Sequence, residues 1–245
     1  MSMRLYLDVE LDSGLHLSLP SGAARHIQVL RLQPGASVTL FNGQGGEWQA
    51  EIVFMGRSEV SVVVREHAEV ERELAHHVTL AVCMPANDRF DWLIEKATEL
   101  GAAAIQPLTS ERSVLRVAGE RAEKKRAHWQ GIAAAAAEQC GRNRLPLVHP
   151  VHELDSWLRS APLAPDCAAH VLSLRPGSTV SAVLAARAAA TPPRHWLLLS
   201  GPEGGLNTRE EDLAVSLGYT PLSLGPRVLR AETAPLALLA ALSAL

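Results

Sequence analysis

The chain has 245 residues, 47% of them hydrophobic and 20% charged, with a formal net charge of -3 at pH 7. That balance is ordinary for a globular protein able to bury a real core. It excludes nucleic-acid binding through bulk positive charge and leaves a local basic face open.

Cys83, Cys140 and Cys167 are far apart and unpatterned, so neither a disulfide framework nor a metal site is expected. No stretch reaches the roughly 20 apolar residues of a membrane span, and no N-terminal run has the basic-then-apolar shape of a signal peptide. The expectation is a soluble, cytoplasmic protein with no membrane partner.

Residues 1–70 show short β segments: "RLYLDVEL", "HLSLP", "ASVTLFNGQGGEWQAEIVFMG" and "EVSVVVREH". The Asn42–Gly46 piece is a hairpin signal, because Asn and Gly tolerate positive φ. "SVTLF" and "WQAEIVF" flank it in near-alternation, as half-buried strands do. A small barrel or sandwich is expected for residues 1–70. The charged linker 65–77 marks the boundary to a second domain, 71–245.

From Val78 on, strands and helices alternate. "VTLAVCM" (78–84) reads as a strand. "DRFDWLIEKATELG" reads as a helix with Phe90, Leu93, Ala97 and Leu100 on one stripe and Gly101 as its C′ residue. "AIQPLTS" (104–110), "AAHVLSL" (168–174), "HWLLLSG" (195–201) and "TPLSLG" are further strands. "GERAEKKRAHWQGIAAAAAEQCG", "STVSAVLAARAAA" and "REEDLAVSLG" are helices, the last opened by a capping box of Thr208 and Glu211. The final helix, "AETAPLALLAALSAL", is apolar nearly all round, which requires burial in the fold or in a partner. The alternation implies an α/β fold with a parallel sheet and helices on its faces.

Two strand ends carry similar loops. "SGPEGG" (200–205) follows one strand and "SLGPRVLRAETA" (223–234) runs out of the next. A Walker loop would need Gly-Lys-Ser/Thr, and lysine occurs only at positions 96, 124 and 125. A Rossmann fingerprint would come after the first strand with different spacing. Two such turns at the ends of consecutive parallel strands face one crevice, where α/β folds bind ligands.

These two stretches closely resemble the C-terminal signature of the ribosomal RNA small subunit methyltransferase E family, in the SPOUT class. "EKATELGAAAIQPLTSERS" (95–113) and "WQGIAAAAAEQCGRNRLP" (129–146) match the same family. The front domain, with "RHIQVLRLQPG" (25–35), resembles the family's PUA-like RNA-binding β-barrel. One departure is Ala86 in "MPANDRFDW", where the family pattern calls for a basic residue.

The resemblance implies methyl transfer from S-adenosyl-L-methionine to N3 of a uridine in small-subunit (16S) ribosomal RNA. It also implies a trefoil knot in the C-terminal domain, a homodimer, and a substrate presented in the assembled 30S particle. Carried over residue by residue, the cofactor is held by Leu174, by Ser200, Gly201, Pro202, Glu203, Gly204 and Gly205, and by Leu222, Ser223, Leu224 and Gly225. Arg227, Val228, Leu229 and Thr233 complete that set. A sulfonium cation without phosphate suits a glycine loop that contains a glutamate.

Uracil N3–H stays protonated near neutrality, so the reaction needs a base or strong stabilisation of the uracil anion. Arg230 is the candidate anion stabiliser, and Glu232 or Glu203 the proton acceptor. For RNA, Arg4, Arg25, His26, Arg31, Arg112, Arg142, Asn143 and Arg144 are the candidate contacts, with a surface position at a strand edge as the other reading of His26. Segment 111–144 holds eight Lys/Arg against four Glu; its helical part reads equally well as a solvated face with ion pairs. Two other readings stay open: a SPOUT methyltransferase acting on another RNA such as tRNA or at a ribose oxygen, and a non-catalytic ribosome assembly factor.

Overall fold

The computed structural model describes residues 3–86, 88–160, 162–189 and 193–243. The chain divides into two compact units, Met1–Glu73 with Ala137–Leu145, and Leu74–Ala136 with Pro146–Leu245. The return of 137–145 to the first unit has no signal in the local sequence pattern.

The first unit contains β1 (Arg4–Tyr6), β2 (His16–Ser18), α1 (Ser21–Val29), β3 (Ser37–Phe41), β4 (Glu47–Met55) and β5 (Val60–Ala68). Its sheet runs β1-β3-β4-β5-β2. β3 and β4 pair antiparallel across the Asn42–Gly46 turn, where the Asn42 side chain accepts the Gln44 N–H at 3.1 Å. Leu5, Val38, Leu40, Ile52 and Val62 fill the core with Ile27 of α1. α1 corrects the strand-edge reading of His26: that residue is exposed on a helix whose buried side is only Ala24 and Ile27. Two buried residues in nine make too thin a stripe to announce a helix.

The second unit contains β6 (His77–Cys83), α2 (Asp88–Glu99), β7 (Ala104–Thr109), α3 (Gly119–Cys140), β8 (Leu147–Val148), β9 (His152–Glu153) and α4 (Leu154–Ser160). The end of α3, from Ala137, belongs to the first unit. Then follow β10 (Cys167–Leu172), β11 (Ser178–Thr179), α5 (Val180–Arg187), β12 (His195–Ser200), α6 (Thr208–Ser216), β13 (Thr220–Ser223) and α7 (Thr233–Ser243).

The strands form a sheet of order β11-β13-β10-β12-β6-β7-β8, with every pairing parallel, as the alternation predicts. Near-continuous apolar strands such as β6 and β12 suit it, because helices cover both faces. β13, last in sequence, lies between β10 and β11, which only residues 173–177 connect. The packing there is tight: a Cβ on Gly177 would sit 2.3 Å from the Pro221 carbonyl oxygen.

The apolarity of α7 is accounted for within the chain. Pro235, Leu236, Leu238, Leu239 and Leu242 are buried, and the helix packs on α2, α5, β6 and β12. No helix among the described residues is long and apolar enough to cross a membrane.

The second unit also holds histidines whose burial favours the neutral ring. His77 stands against His195 with ring centroids 5.3 Å apart. Its pKa is held below the usual imidazole value of 6.5 by burial and by His195. His149 is lowered by burial, then Arg126 and neighbouring histidines; His170 is lowered by burial. The unfolded chain therefore binds protons at these sites at a higher pH than the folded one. Stability is full above the unfolded value of about 6.5 and falls as acid takes the pH down toward the folded values. Thermal melts should show a lower midpoint at about pH 5.5 than at about pH 7.5, and replacing His77 by Gln should shrink the difference. An unchanged difference in His77→Gln would show that other groups set the acid limb.

Candidate active site

Three adjacent parallel strands, β12, β10 and β13, end on the same side of the sheet. Their C-terminal loops converge on a cavity of about 750 Å³. The first loop turns sharply after Ser200. A Cβ on Gly201 would meet the Leu206 nitrogen at 2.8 Å, and Gly205 adopts φ +66 while donating to the Pro202 carbonyl at 2.8 Å. Only glycine meets both demands without strain. In the third loop Gly225 has φ +101 and donates to Ser223 Oγ at 3.3 Å.

Leu174, Ser200, Gly201, Pro202, Glu203, Gly204 and Gly205 line the cavity, as do Leu222, Leu224, Gly225, Arg227, Val228 and Leu229. Ser223 and Thr233 do not. Ser223 holds the turn through Gly225, and Thr233 begins α7 with its N–H on the Arg230 carbonyl at 2.9 Å.

The charged groups divide into a free pair and a clamped set. Arg227 and Arg230 are exposed at the cavity and form no ion pair among the described residues. Glu203 is held: its Oε1 accepts the Ala86 N–H at 2.9 Å and lies 3.5 Å from Arg89 Nη1. Ala86 thus contributes its backbone where a basic side chain was expected. Glu232 is buried, with Oε1 3.9 Å from Arg89 Nε and Oε2 lacking any hydrogen-bond partner among the described residues. A buried carboxylate oxygen without a partner is costly unless it is used. Arg89, which also lines the cavity, bridges the two glutamates.

Sequence reasoning missed Arg89, Ser173, Arg175 and Glu211, all of which line the cavity. Ser173 Oγ donates to Glu211, and Arg175 pairs with Glu211 at 3.2 Å and with Asp212 at 2.5 Å. No spacing links β10's loop to α6, so only the fold brings them together.

The same loop corrects the expected cap. Asn207, not Thr208, is the N-cap of α6, and Glu210, not Glu211, completes the box. Both frames read polar-x-x-Glu; the structure selects the one that leaves Glu211 free for Ser173 and Arg175. Glu210 is almost fully buried and accepts from Asn207 N at 2.9 Å and Glu111 N at 2.8 Å. Glu210→Ala should therefore destabilise the protein by about 2 kcal/mol, read as a shifted urea midpoint. An unshifted midpoint would mean the box contributes nothing.

The expected RNA residues scatter. Arg112 donates to the Gly204 carbonyl at 2.9 Å and so belongs to the cavity rim. Arg142 and Asn143 are 4% and 0% exposed, which overturns their reading as RNA contacts. Arg142 pairs with Glu73, and Asn143 bonds Arg4, Glu47 and the Val70 carbonyl. Arg4, largely buried, is committed to Glu47 and Asn143 and is likewise structural. Arg144 is half exposed and pairs with Glu71 at 3.2 Å; Arg25, His26 and Arg31 are exposed. In α3, Arg126 pairs with Glu123 one turn away, as a solvated helix face does.

The chain is similar to known proteins along its whole length. An RNA methyltransferase domain family matches residues 72–243, and an RNA methyltransferase PUA domain family matches 19–65. Ribosomal RNA small subunit methyltransferase E from Bacillus subtilis is 33% identical over 96% of this chain and 92% of that protein. The crystal structure of the methyltransferase E from Neisseria gonorrhoeae bound to S-adenosyl methionine superposes with a TM-score of 0.89 at 33% identity. It covers 98% of this chain and 96% of the other. A methyltransferase from Legionella pneumophila in complex with the same cofactor gives 0.90 at 35% identity, covering 100% of this chain and 98% of that one. Matching family domains, full-length relatives and the shared fold lead to one conclusion: the chain belongs to the ribosomal RNA small subunit methyltransferase E family of RNA methyltransferases.

Proposed function

We propose that this protein methylates N3 of a uridine in small-subunit ribosomal RNA, using S-adenosyl-L-methionine. The cavity of about 750 Å³ lies within the usual range for a ligand of that size. Its residues fit the group: Leu172, Leu174, Leu222 and Leu224 offer apolar surface for an adenine, and Glu203 and Glu211 suit a cationic ligand without phosphate. When bound, S-adenosylmethionine supplies the electrophilic methyl group.

The chain's own residues prepare the nucleophile. Arg230, unpaired and facing the cavity, holds the negative charge that spreads onto the uracil oxygens as the N3 proton leaves. The proton goes to one of the two carboxylates that Arg89 bridges: Glu203, which lines the cavity, or Glu232, which is buried outside the lining with Oε2 unpartnered among the described residues. Because a carboxylate is a weaker base than the uracil anion, the transfer depends on Arg230 acting at the same time. Arg89 keeps both carboxylates oriented.

In this reading the first unit, residues 1–70 in the main, grips RNA, and residues 71–245 carry the chemistry. The working form is a homodimer acting in the cytoplasm on the assembled small subunit, whose shaped surface compensates for the modest positive charge.

The observation that carries the reading is an arginine without an ion pair among the described residues at a glycine-walled cavity that Glu203 also lines. Its test is nucleoside mass spectrometry on small ribosomal subunits from cells lacking this gene, incubated with the purified protein and S-adenosylmethionine. New 3-methyluridine is the expected result. A different methylated nucleoside would overturn the substrate, and cofactor binding without methylation would overturn the enzyme in favour of an assembly factor.

A further inference from the structure

The first unit is acidic overall, with eleven carboxylates against eight arginines and no lysine. Its arginines are not used alike. Arg4 and Arg72 share Glu47, Arg65 pairs with Glu51, Arg142 with Glu73 and Arg144 with Glu71. Arg25, Arg31 and Arg57 alone form no ion pair among the described residues, and all three are exposed.

These three lie on one patch. Arg25 is on α1, Arg31 follows its C-terminus, and Arg57 is in the β4–β5 turn. Gln28 Nε2 ties the helix to that turn, donating to the Gly56 carbonyl at 2.9 Å and the Arg57 carbonyl at 3.2 Å. Gly35 N donates to the Ile52 carbonyl at 2.8 Å and fastens the segment after Arg31 to β4.

Two local irregularities shape the same patch. Arg31 has φ +55, the left-handed region, and is the one non-glycine there among the described residues. A glycine would relieve that strain, so its absence points to a use for the side chain. In β4 the register slips between Ile52 and Phe54, which makes Val53 an extra, bulged residue. Alternation would hide one of the two neighbours, yet Val53 is 41% and Phe54 50% exposed. Bulges serve to re-aim side chains in this way. Glu59, the one acid in that turn, accepts from Ser18 Oγ at 2.6 Å and pairs with no arginine among the described residues.

We infer that this patch binds an unpaired strand of RNA, with a base stacked on Phe54 and phosphates on Arg25, Arg31 and Arg57. The inference rests on the reading of the protein as an RNA methyltransferase. An exposed aromatic ring amid unpaired arginines is the pairing that single strands select: the ring offers a face to any base, and the guanidiniums follow the backbone. Duplex RNA has no free base face to give Phe54.

The test uses the full-length protein, a short mixed-sequence single-stranded oligoribonucleotide, and the same strand annealed to its complement. Phe54→Leu, which keeps an apolar side chain at an exposed position, should weaken single-strand binding roughly tenfold, and Phe54→Trp should restore it. The salt slope of binding should be unchanged in Phe54→Leu and should fall by about one in Arg57→Ala. Melting curves and S-adenosylmethionine affinity, set by the other unit, should match wild type in every variant. Unchanged single-strand affinity in Phe54→Leu while the wild type still binds RNA would overturn the patch and leave the enzyme standing; a protein partner would then be the occupant to seek. Equal losses for strand and duplex would overturn the stacking. A wild type that binds RNA without methylating any would overturn the reading of function and leave the patch measurable.

Discussion

Replacing Arg230 by alanine should lower the methyl-transfer rate about 100- to 1000-fold at saturating RNA and S-adenosylmethionine. The size follows from what the side chain does. In the proposed reaction uracil gains a full negative charge as N3 loses its proton, and removing one fixed donor from such a charge costs about 3–4 kcal/mol of barrier. Arg230 suits the task because its backbone is fixed while its side chain is not committed. The Thr233 and Ala234 N–H groups hold its carbonyl at 2.9 and 3.0 Å, so the first turn of α7 anchors it. Its guanidinium lines the cavity without an ion pair among the described residues. Arg230→Lys should recover part of the rate, since a point charge replaces a fork that could reach two oxygens. Cofactor affinity, followed by calorimetry on the same variants, should change little, because the role proposed for Arg230 is on the base. Near-normal turnover in Arg230→Ala would remove it from the mechanism, and a loss confined to cofactor affinity would reassign it to binding.

The parts of this molecule that were legible share a physical cause. Runs such as Leu197–Leu199 and Val78–Cys83 are apolar because a parallel sheet covered on both faces leaves no polar side, and that pattern survives in one dimension. The glycine turns were legible for a related reason: Gly201 and Gly205 stand where a side chain would clash or strain the backbone, whatever the ligand. Long-range pairings were not legible. Arg89 lies more than a hundred residues from Glu203 and Glu232, and Ser173 reaches Glu211 from another strand end. Each looks like an ordinary surface residue until the fold delivers its partner. The capping box failed differently, because two overlapping frames satisfied the same rule and the choice fell to tertiary partners of Glu211. The "CGRNR" segment was the largest misreading. A glycine-ended helix followed by arginines has the form of an exposed loop, but burial is decided by where the chain goes next, and here it joins the first unit.

That misreading leads to the second large effect. Asn143→Ala should destabilise the protein by about 3 kcal/mol, because one fully buried amide holds three partners at once. Its Nδ2 donates to the Val70 carbonyl at 2.6 Å and to Glu47 Oε2 at 3.2 Å, and its Oδ1 accepts from Arg4 Nη2 at 2.5 Å. Glu47 shows how far the cluster depends on these bonds. Burial alone would raise its carboxyl pKa, and hydrogen bonds from Arg4, Arg72 and Asn143 outweigh that and hold it below the ordinary carboxylate value. Removing the amide strands Arg4 and Glu47 with one neutral mediator fewer, and no water-sized side chain takes its place. Asn143→Asp should be worse still, since it sets a second carboxylate against Glu47. Urea denaturation of the full chain measures this as an earlier transition of the first unit, with S-adenosylmethionine binding retained until the second unit unfolds. RNA affinity then separates the two roles that a "GRNR" segment could have. A structural Asn143 leaves the salt slope of RNA binding untouched below the transition, while Arg57→Ala lowers it. A variant with a normal urea midpoint and weakened RNA binding would return Asn143 to the RNA face, against its 0% exposure.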